Sequence, residues 1–473
     1  MICSLTRLLV LALCCTLAPL AALAQPQGAF DACKGKQADD SCTVGRGEAG
    51  VCVEHGVGTF CVPRSHMQGG RPGGSQGGNQ GDMQGPPPDM QGGSTQNQST
   101  GMSQQQRPKK ASYPTGSSYA KYIEHTPTHT GGAFDTGQEY CFDSSKVISC
   151  PEPGDAYYGQ DAQYAGIARS YTDHGDGSVS DNNTGLTWEK AHHEERIRQV
   201  DAVKYCNGLN LGGHDDWRLP SIKELYSIVT FDGAQGLKAY LDTKYFDIAP
   251  PASLDANDRF ASTHSPQMMG QTTSSTIYKG NLWGRGQESS FFMNFLDGRI
   301  KCAPTGGGMG QLYRCVRGPE YGRNDFMDNG DGTVTDRTTG FDWQQADDGQ
   351  TRDWPEALAY CEDLTLAGHD DWRLPNAKEL QYILDYTRIP ATPKEFTQTD
   401  PAGWYWTSTT LGDSISQAIY ICFGKGIASD GTDVHGAGAQ RSDPKTTAQK
   451  RSGQQGGQQD DVRVDNLVRC VRN

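Results

Sequence analysis

Large apolar residues in this chain come in short periodic runs, separated by stretches that hold almost none. The clearest run places Trp354, Ala357, Leu358 and Cys361 at i, i+3, i+4 and i+7, which gives a helix one apolar face. Asp353 with Glu356 suits a capping box at its start, and Pro355 suits its first turn. A second helix is predicted after each Trp-Arg-Leu-Pro. Ser221 with Glu224 caps the first of these, with Ile222, Leu225, Ile228 and Val229 as its stripe. Asn376 caps the other, with Leu380, Ile383 and Leu384 inside. Asp-x-Gly-Asp-Gly, then Val179 or Val334, then a Thr-Gly turn before Trp188 or Trp343, predicts a meander of tight turns. Strand-like pieces lie around 291–295 and 418–422, and Arg-Cys-Val-Arg closes each series.

The elements recur because the sequence does. Residues 171–191 align with 326–346 at an offset of 155, and 312–317 align with 467–472 at the same offset. Between them, 16 of 25 positions are identical in 201–225 and 356–380. A constant offset at both ends means that insertions inside the copies compensate. A period this long points to two domains rather than a solenoid. The expected class is α+β: domains at 138–318 and 319–473, each with two short helices and an irregular antiparallel sheet. Pro444 to Asp461, with its Gln-Gly runs, reads as a surface insertion.

Composition assigns the remainder. Gly makes up 59 of 473 residues, about 12% against a usual ~7%, and 12 of them fall in 64–116. That stretch has almost no aromatic or β-branched residues and is expected to be a disordered linker. Residues 1–24 carry one charge, Arg7, then an apolar run and Ala22-Leu23-Ala24, the form of a signal peptide. Removing it leaves 12 of the 15 cysteines, an even set that suits an oxidising compartment. No later apolar run approaches the ~18 residues of a membrane span. The net charge of -14 argues against nucleic-acid binding. Residues 25–63 form a small module whose Cys33, Cys42, Cys52 and Cys61 are expected to make two disulfides in one of three pairings.

Asn-Gly-Asp-Gly-Thr-Val-Thr-Asp at 329–336, Gly-His-Asp-Asp-Trp-Arg-Leu-Pro at 213–220 and 368–375, and Arg-Cys-Val-Arg at 314–317 and 469–472 resemble the Lcl C-terminal domain family. That family consists of exported bacterial domains, mostly of unknown function, named after a collagen-like adhesin; collagen repeats are absent here. Arg-Leu-Pro before a capped helix, with a closing Arg-Cys-Val, is also similar to formylglycine-generating enzymes, which implies a C-type-lectin-like fold. The resemblance implies an exported, non-enzymatic binding or adhesion protein of the periplasm, cell surface or exterior. Surface glycans or matrix proteins are the candidate partners. The alternatives are an enzyme resembling formylglycine-generating oxidases, which needs a reactive cysteine pair, and a structural cell-envelope protein.

Candidate site residues follow from the duplication. Cys206 and Cys315 are as far apart as Cys361 and Cys470, so one disulfide per copy is expected, with Cys141 and Cys150 pairing locally. Cys302 and Cys422 lack counterparts; counted with the oxidised set, they are candidates for a bridge between the copies. Calcium is the one candidate cofactor, through Asp173, Asp176 and Asp181 with Asp328, Asp331 and Asp336. His214-Asp215-Asp216, repeated at 369–371, suits helix capping or pairing with Arg218 and Arg373 better than catalysis. Arg314, Arg317, Arg469 and Arg472 are the candidates for a basic face if they point away from the buried cysteine, but pairing with Asp or Glu is the favoured expectation.

Overall fold

The structure is a computed structural model that describes residues 134–473 except 194, 233–238, 249–269, 308–309, 413 and 448–459. It also describes the strand backbone at 41–44, 48–55, 58–63 and 129–130. The signal peptide, the linker and the cysteine pairing of the N-terminal module lie outside the described residues. The module's backbone forms an antiparallel sheet of β1 (Ser41–Val44), β2 (Glu48–His55) and β3 (Gly58–Pro63), in which Cys52 stands opposite Cys61.

The first copy opens with a meander of β4 (Tyr171–Asp173), β5 (Ser178–Asp181) and β6 (Thr187–Glu189). Helices α1 (Gln199–Asn207) and α2 (Ile222–Ser227) follow, then β7 (Gln271–Ile277), β8 (Ser289–Asn294), β9 (Arg299–Pro304) and the closing β10 (Val316–Arg317). The second copy repeats the order with β11 (Phe326–Asp328), β12 (Thr333–Asp336), β13 (Phe341–Gln344), α3 (Trp354–Glu362) and α4 (Ala377–Tyr382). It ends with β14 (Trp404–Thr410), β15 (Gln417–Cys422), β16 (Gln440–Pro444) and β17 (Val471–Arg472).

Local chemistry accounts for the helix starts. The Ser221 and Asn376 side chains accept from the backbone N–H three residues on, and Glu224 and Glu379 return the bond. Asp353 caps α3 in the forward direction only, and α1 has Arg198 at that position with no side-chain cap. Ile228 and Val229 fall beyond the last turn of α2 yet remain wholly buried. In each copy the closing strand pairs with the third meander strand, which sets Trp188 opposite Val316 and Trp343 opposite Val471.

The copies are not self-contained. Strands β7-β8-β9 and β14-β15-β16 join in one six-stranded antiparallel sheet, in the order β7-β8-β9-β16-β15-β14. The join pairs Ile300 with Gln440, so equivalent strands meet antiparallel, as across a local two-fold axis. Each copy alone would expose a strand edge, and the join covers both. One apolar core runs through the pair, from Val179 and Trp188 to Val334 and Trp343.

Two expectations are revised. The lead-in before Tyr171, counted with the first domain by the bounds 138–318, straddles both copies instead. Phe134 packs on Phe341 and Tyr382 at 6.1 and 4.7 Å, and Gln138 exchanges hydrogen bonds with the Thr410 backbone. On its other side the Phe231 N–H donates to the Thr136 carbonyl. The flanks of the Pro444 to Asp461 insertion are not superficial either, because Lys445 and Asp460 are buried. Desolvating those charges is offset by contacts: the Lys445 ammonium lies 4.1 Å from the Trp354 ring centre and Asp460 accepts from Arg441 at 3.1 Å.

Candidate functional site: a pocket in the first copy

The duplicated motif residues hold the fold. Arg218 grips Glu224 through two bonds of 2.7 and 2.6 Å, and Arg373 grips Glu379 at 2.7 and 2.8 Å, so the Trp-Arg-Leu-Pro arginine clamps the capping box after it. Trp217 and Trp372 donate to the carbonyls of Leu211 and Leu366, closing the His-Asp-Asp turn. Asp216 pairs with Arg317 at 2.6 Å and Asp371 with Arg472 at 2.7 Å, rather than with Arg218 and Arg373.

Those pairs are the favoured expectation for Arg317 and Arg472, and the alternative of an outward basic face is overturned. Arg314 and Arg469 are wholly buried, and each guanidinium donates to three backbone carbonyls: Glu189, Lys190 and Asp247 for Arg314, and Gln344, Gln345 and Thr397 for Arg469. Burial lowers Arg314 to about 10. Arg314 and Arg469 both lie two residues before the closing strands begin, so strand alternation does not set their direction.

Disulfides join Cys206 to Cys315, Cys361 to Cys470, and Cys141 to Cys150. Cys302 and Cys422 are free and buried, which corrects their place in the oxidised set. They lie on β9 and β15 with β16 between, and two strand spacings of ~4.8 Å exceed the ~7 Å reach of a disulfide. Burial pushes both thiols well above their ordinary pKa, which disfavours the thiolate that an oxidase would need.

The six candidate calcium ligands are occupied within their turns. Asp173 accepts from Lys190 and the Gly175 N–H, Asp176 from Ser178, and Asp181 from the Asn183 N–H. Asp328 accepts from Gly330, Asp331 from Thr333, and Asp336 from Asn324 and the Thr338 N–H. Among the described residues no three His, Cys, Asp or Glu side chains gather as a metal cage.

What the duplication does not repeat is the space under the helices. Gln199 Nε2 donates to the Ser274 carbonyl at 3.2 Å, as Trp354 Nε1 donates to the Thr407 carbonyl at 2.7 Å. Thr276 Oγ1 accepts from the Ile222 N–H, as Thr409 Oγ1 accepts from the Ala377 N–H. These matching bonds place Gln271 where the second copy has Trp404, and Thr273 where it has Trp406.

In the second copy those tryptophans fill the space. Trp354, Trp404 and Trp406 are buried, Trp404 stacks on Tyr420 at 4.8 Å, and Arg463 lies 3.8 Å from the Trp404 ring centre. Asp460 accepts from Tyr420, His435 and Arg441 and so ties the end of the insertion beside this cluster. Burial alone would raise the Asp460 carboxyl, but Arg441 and His435 hold it well below the usual range.

In the first copy the space is a cavity of about 560 Å³. Gln199, Gln271 and Gln311 line it together with Trp283 and the Pro304–Gly307 turn. The three glutamines are 7%, 8% and 8% exposed, and Gln311 Nε2 finds no hydrogen-bond partner among the described residues. The sequence reading named none of these residues. The signal within reach was Gln199 standing opposite Trp354 at the repeat offset of 155.

A model of the Lcl C-terminal domain matches residues 177–317 and 332–441, one segment in each copy. No curated protein and no solved structure matches the chain.

Proposed function

Because the chain belongs to the Lcl C-terminal domain family, we propose that it is an exported, non-enzymatic binding or adhesion protein whose ligand site is the pocket of its first copy. The observation that carries this reading is the cavity beside α1, lined by three buried amides, at the place where the second copy has a tryptophan plug. A fold that can fill this space with aromatic rings leaves it open once. Three disulfides and the absence, among the described residues, of a helix able to cross a membrane fit a periplasmic, surface or extracellular location. A C-type-lectin-like arrangement of each copy belongs to the same reading, as do surface glycans or matrix proteins as partners.

The test is a glycan-array and matrix-protein screen of the signal-cleaved chain, run beside the Gln271→Trp variant. The reading expects a ligand that the variant loses. Ligands retained in full by a folded Gln271→Trp protein would place binding elsewhere and overturn it.

A further inference from the structure

We infer that this pocket accepts one uncharged sugar residue, and that the chain carries one such site despite its two copies. The inference rests on the pocket being the ligand site. Its walls say what kind of ligand. An amide side chain offers a donor and an acceptor side by side, which matches the neighbouring hydroxyls of a sugar ring. Three such groups, Gln199, Gln271 and Gln311, converge on one space. Gln199 has committed its amide N–H to the Ser274 carbonyl, and Gln311 Nε2 is covered, whereas the Gln271 amide makes no side-chain hydrogen bond among the described residues and keeps access to the space.

Trp283 supplies the apolar surface that the C–H face of a sugar needs. It holds a positive φ of 54°, uncommon for a bulky residue, and its N–H donates to the Asp433 carbonyl of the second copy at 2.8 Å. The second copy thus helps to position the rim of the pocket in the first.

The charged groups at the mouth are already engaged. Arg198 bonds Asp201 at 2.7 Å, the Arg285 guanidinium lies 5.3 Å from the Trp283 ring centre, and Glu288 accepts from the Thr305 hydroxyl at 3.3 Å. A carboxylated or sulfated sugar would find no buried cation among the three amides. The volume lies in the ordinary range for a small-molecule site, roughly 300–1,000 Å³. In the second copy Trp404 occupies the position of Gln271 and Trp354 that of Gln199, so no second site of this kind forms.

Calorimetric titration of the signal-cleaved chain tests this, using oligosaccharides of glucose, galactose, mannose and N-acetylglucosamine, with heparin and a sialylated glycan as charged probes. The expected result is one site per chain for a neutral sugar, with affinity unchanged within about twofold when salt is raised to where the Debye length is ~3 Å. Gln271→Leu, close in shape to the native side chain, should weaken binding at least roughly tenfold while near-ultraviolet circular dichroism stays native, since the lost partner is a buried hydrogen bond. Two equivalent sites, preference for a charged probe, or a Gln271→Leu protein that binds normally would each overturn the inference. A ligand of another class that Gln271→Trp abolishes would overturn the sugar and leave the proposed function standing. A failure to find any ligand sensitive to Gln271→Trp would overturn both.

Discussion

The two copies share their clamps and differ in what the clamps enclose. Both close a disulfide between the first helix and the last strand, both bind the capping-box glutamate with the Trp-Arg-Leu-Pro arginine, and both spend a buried arginine on three carbonyls. Under that common frame the second copy packs Trp354, Trp404, Trp406 and Tyr420, whereas the first has Gln199, Gln271, Thr273 and a cavity. One copy is built for stability. The other keeps an opening. After a duplication, the clamps preserve the fold while the residues between them are free to diverge, because the clamps bond mainly to backbone and to one another.

The largest effect should come from what the copies share. Cys206→Ser and Cys361→Ser each release a loop of 109-residue separation, worth about 4–5 kcal/mol in the chain-entropy model. Denaturant melts should show losses of similar size, with free Cys315 or Cys470 detected by thiol labelling. A loss in only one of the two variants would break the equivalence. Next in size, Trp354→Ala should cost about 3–5 kcal/mol as a large core deletion, while Gln199→Ala costs about 1 kcal/mol for one hydrogen bond. Equal costs would mean that the first copy is as well filled as the second.

The arginine clamps sharpen the contrast at smaller scale. Arg373 and Glu379 side chains are 5% and 1% exposed, so Arg373→Ala leaves a buried carboxylate and should cost about 3 kcal/mol. Arg218 is 36% exposed, water screens its pair, and Arg218→Ala should cost clearly less. A pH dependence is expected where the lead-in meets the second copy. Burial raises the Asp161 carboxyl to about 7, against hydrogen bonds from Thr409 and Thr136 that lower it. The folded state therefore holds this proton more tightly than the unfolded chain, and stability falls as pH rises from about 4 to 7. Asp161→Asn should flatten the Tm profile over that window by a few degrees, at roughly 2 °C per kcal/mol. An unchanged slope would show that the lead-in carboxyl does not titrate with folding.

Much of the frame was legible in the sequence because it depends on local spacing. The helices were readable from their caps and stripes, and the meander from its Asp-Gly turns. The disulfides were readable from two cysteine pairs with the same separation. The family, too, showed in the repeated Gly-His-Asp-Asp-Trp-Arg-Leu-Pro and Arg-Cys-Val-Arg. The pocket was not legible beyond Gln199, because insertions shift the alignment inside each copy. Gln271 matches Trp404 through the strand hydrogen bonds and not through the offset of 155.

The sequence by itself determined which segments become helices and turns and which motifs recur, since caps, periodicity and turn residues act over a few positions. Only the tertiary structure decided that Cys302 and Cys422 stay reduced with a strand between them, and that Arg314 and Arg469 turn inward to backbone carbonyls. It alone decided that the two copies share one sheet, and that three glutamines distant in the chain line one cavity. Those outcomes depend on which surfaces meet across long separations, and no local period encodes the depth at which a strand or a side chain comes to rest.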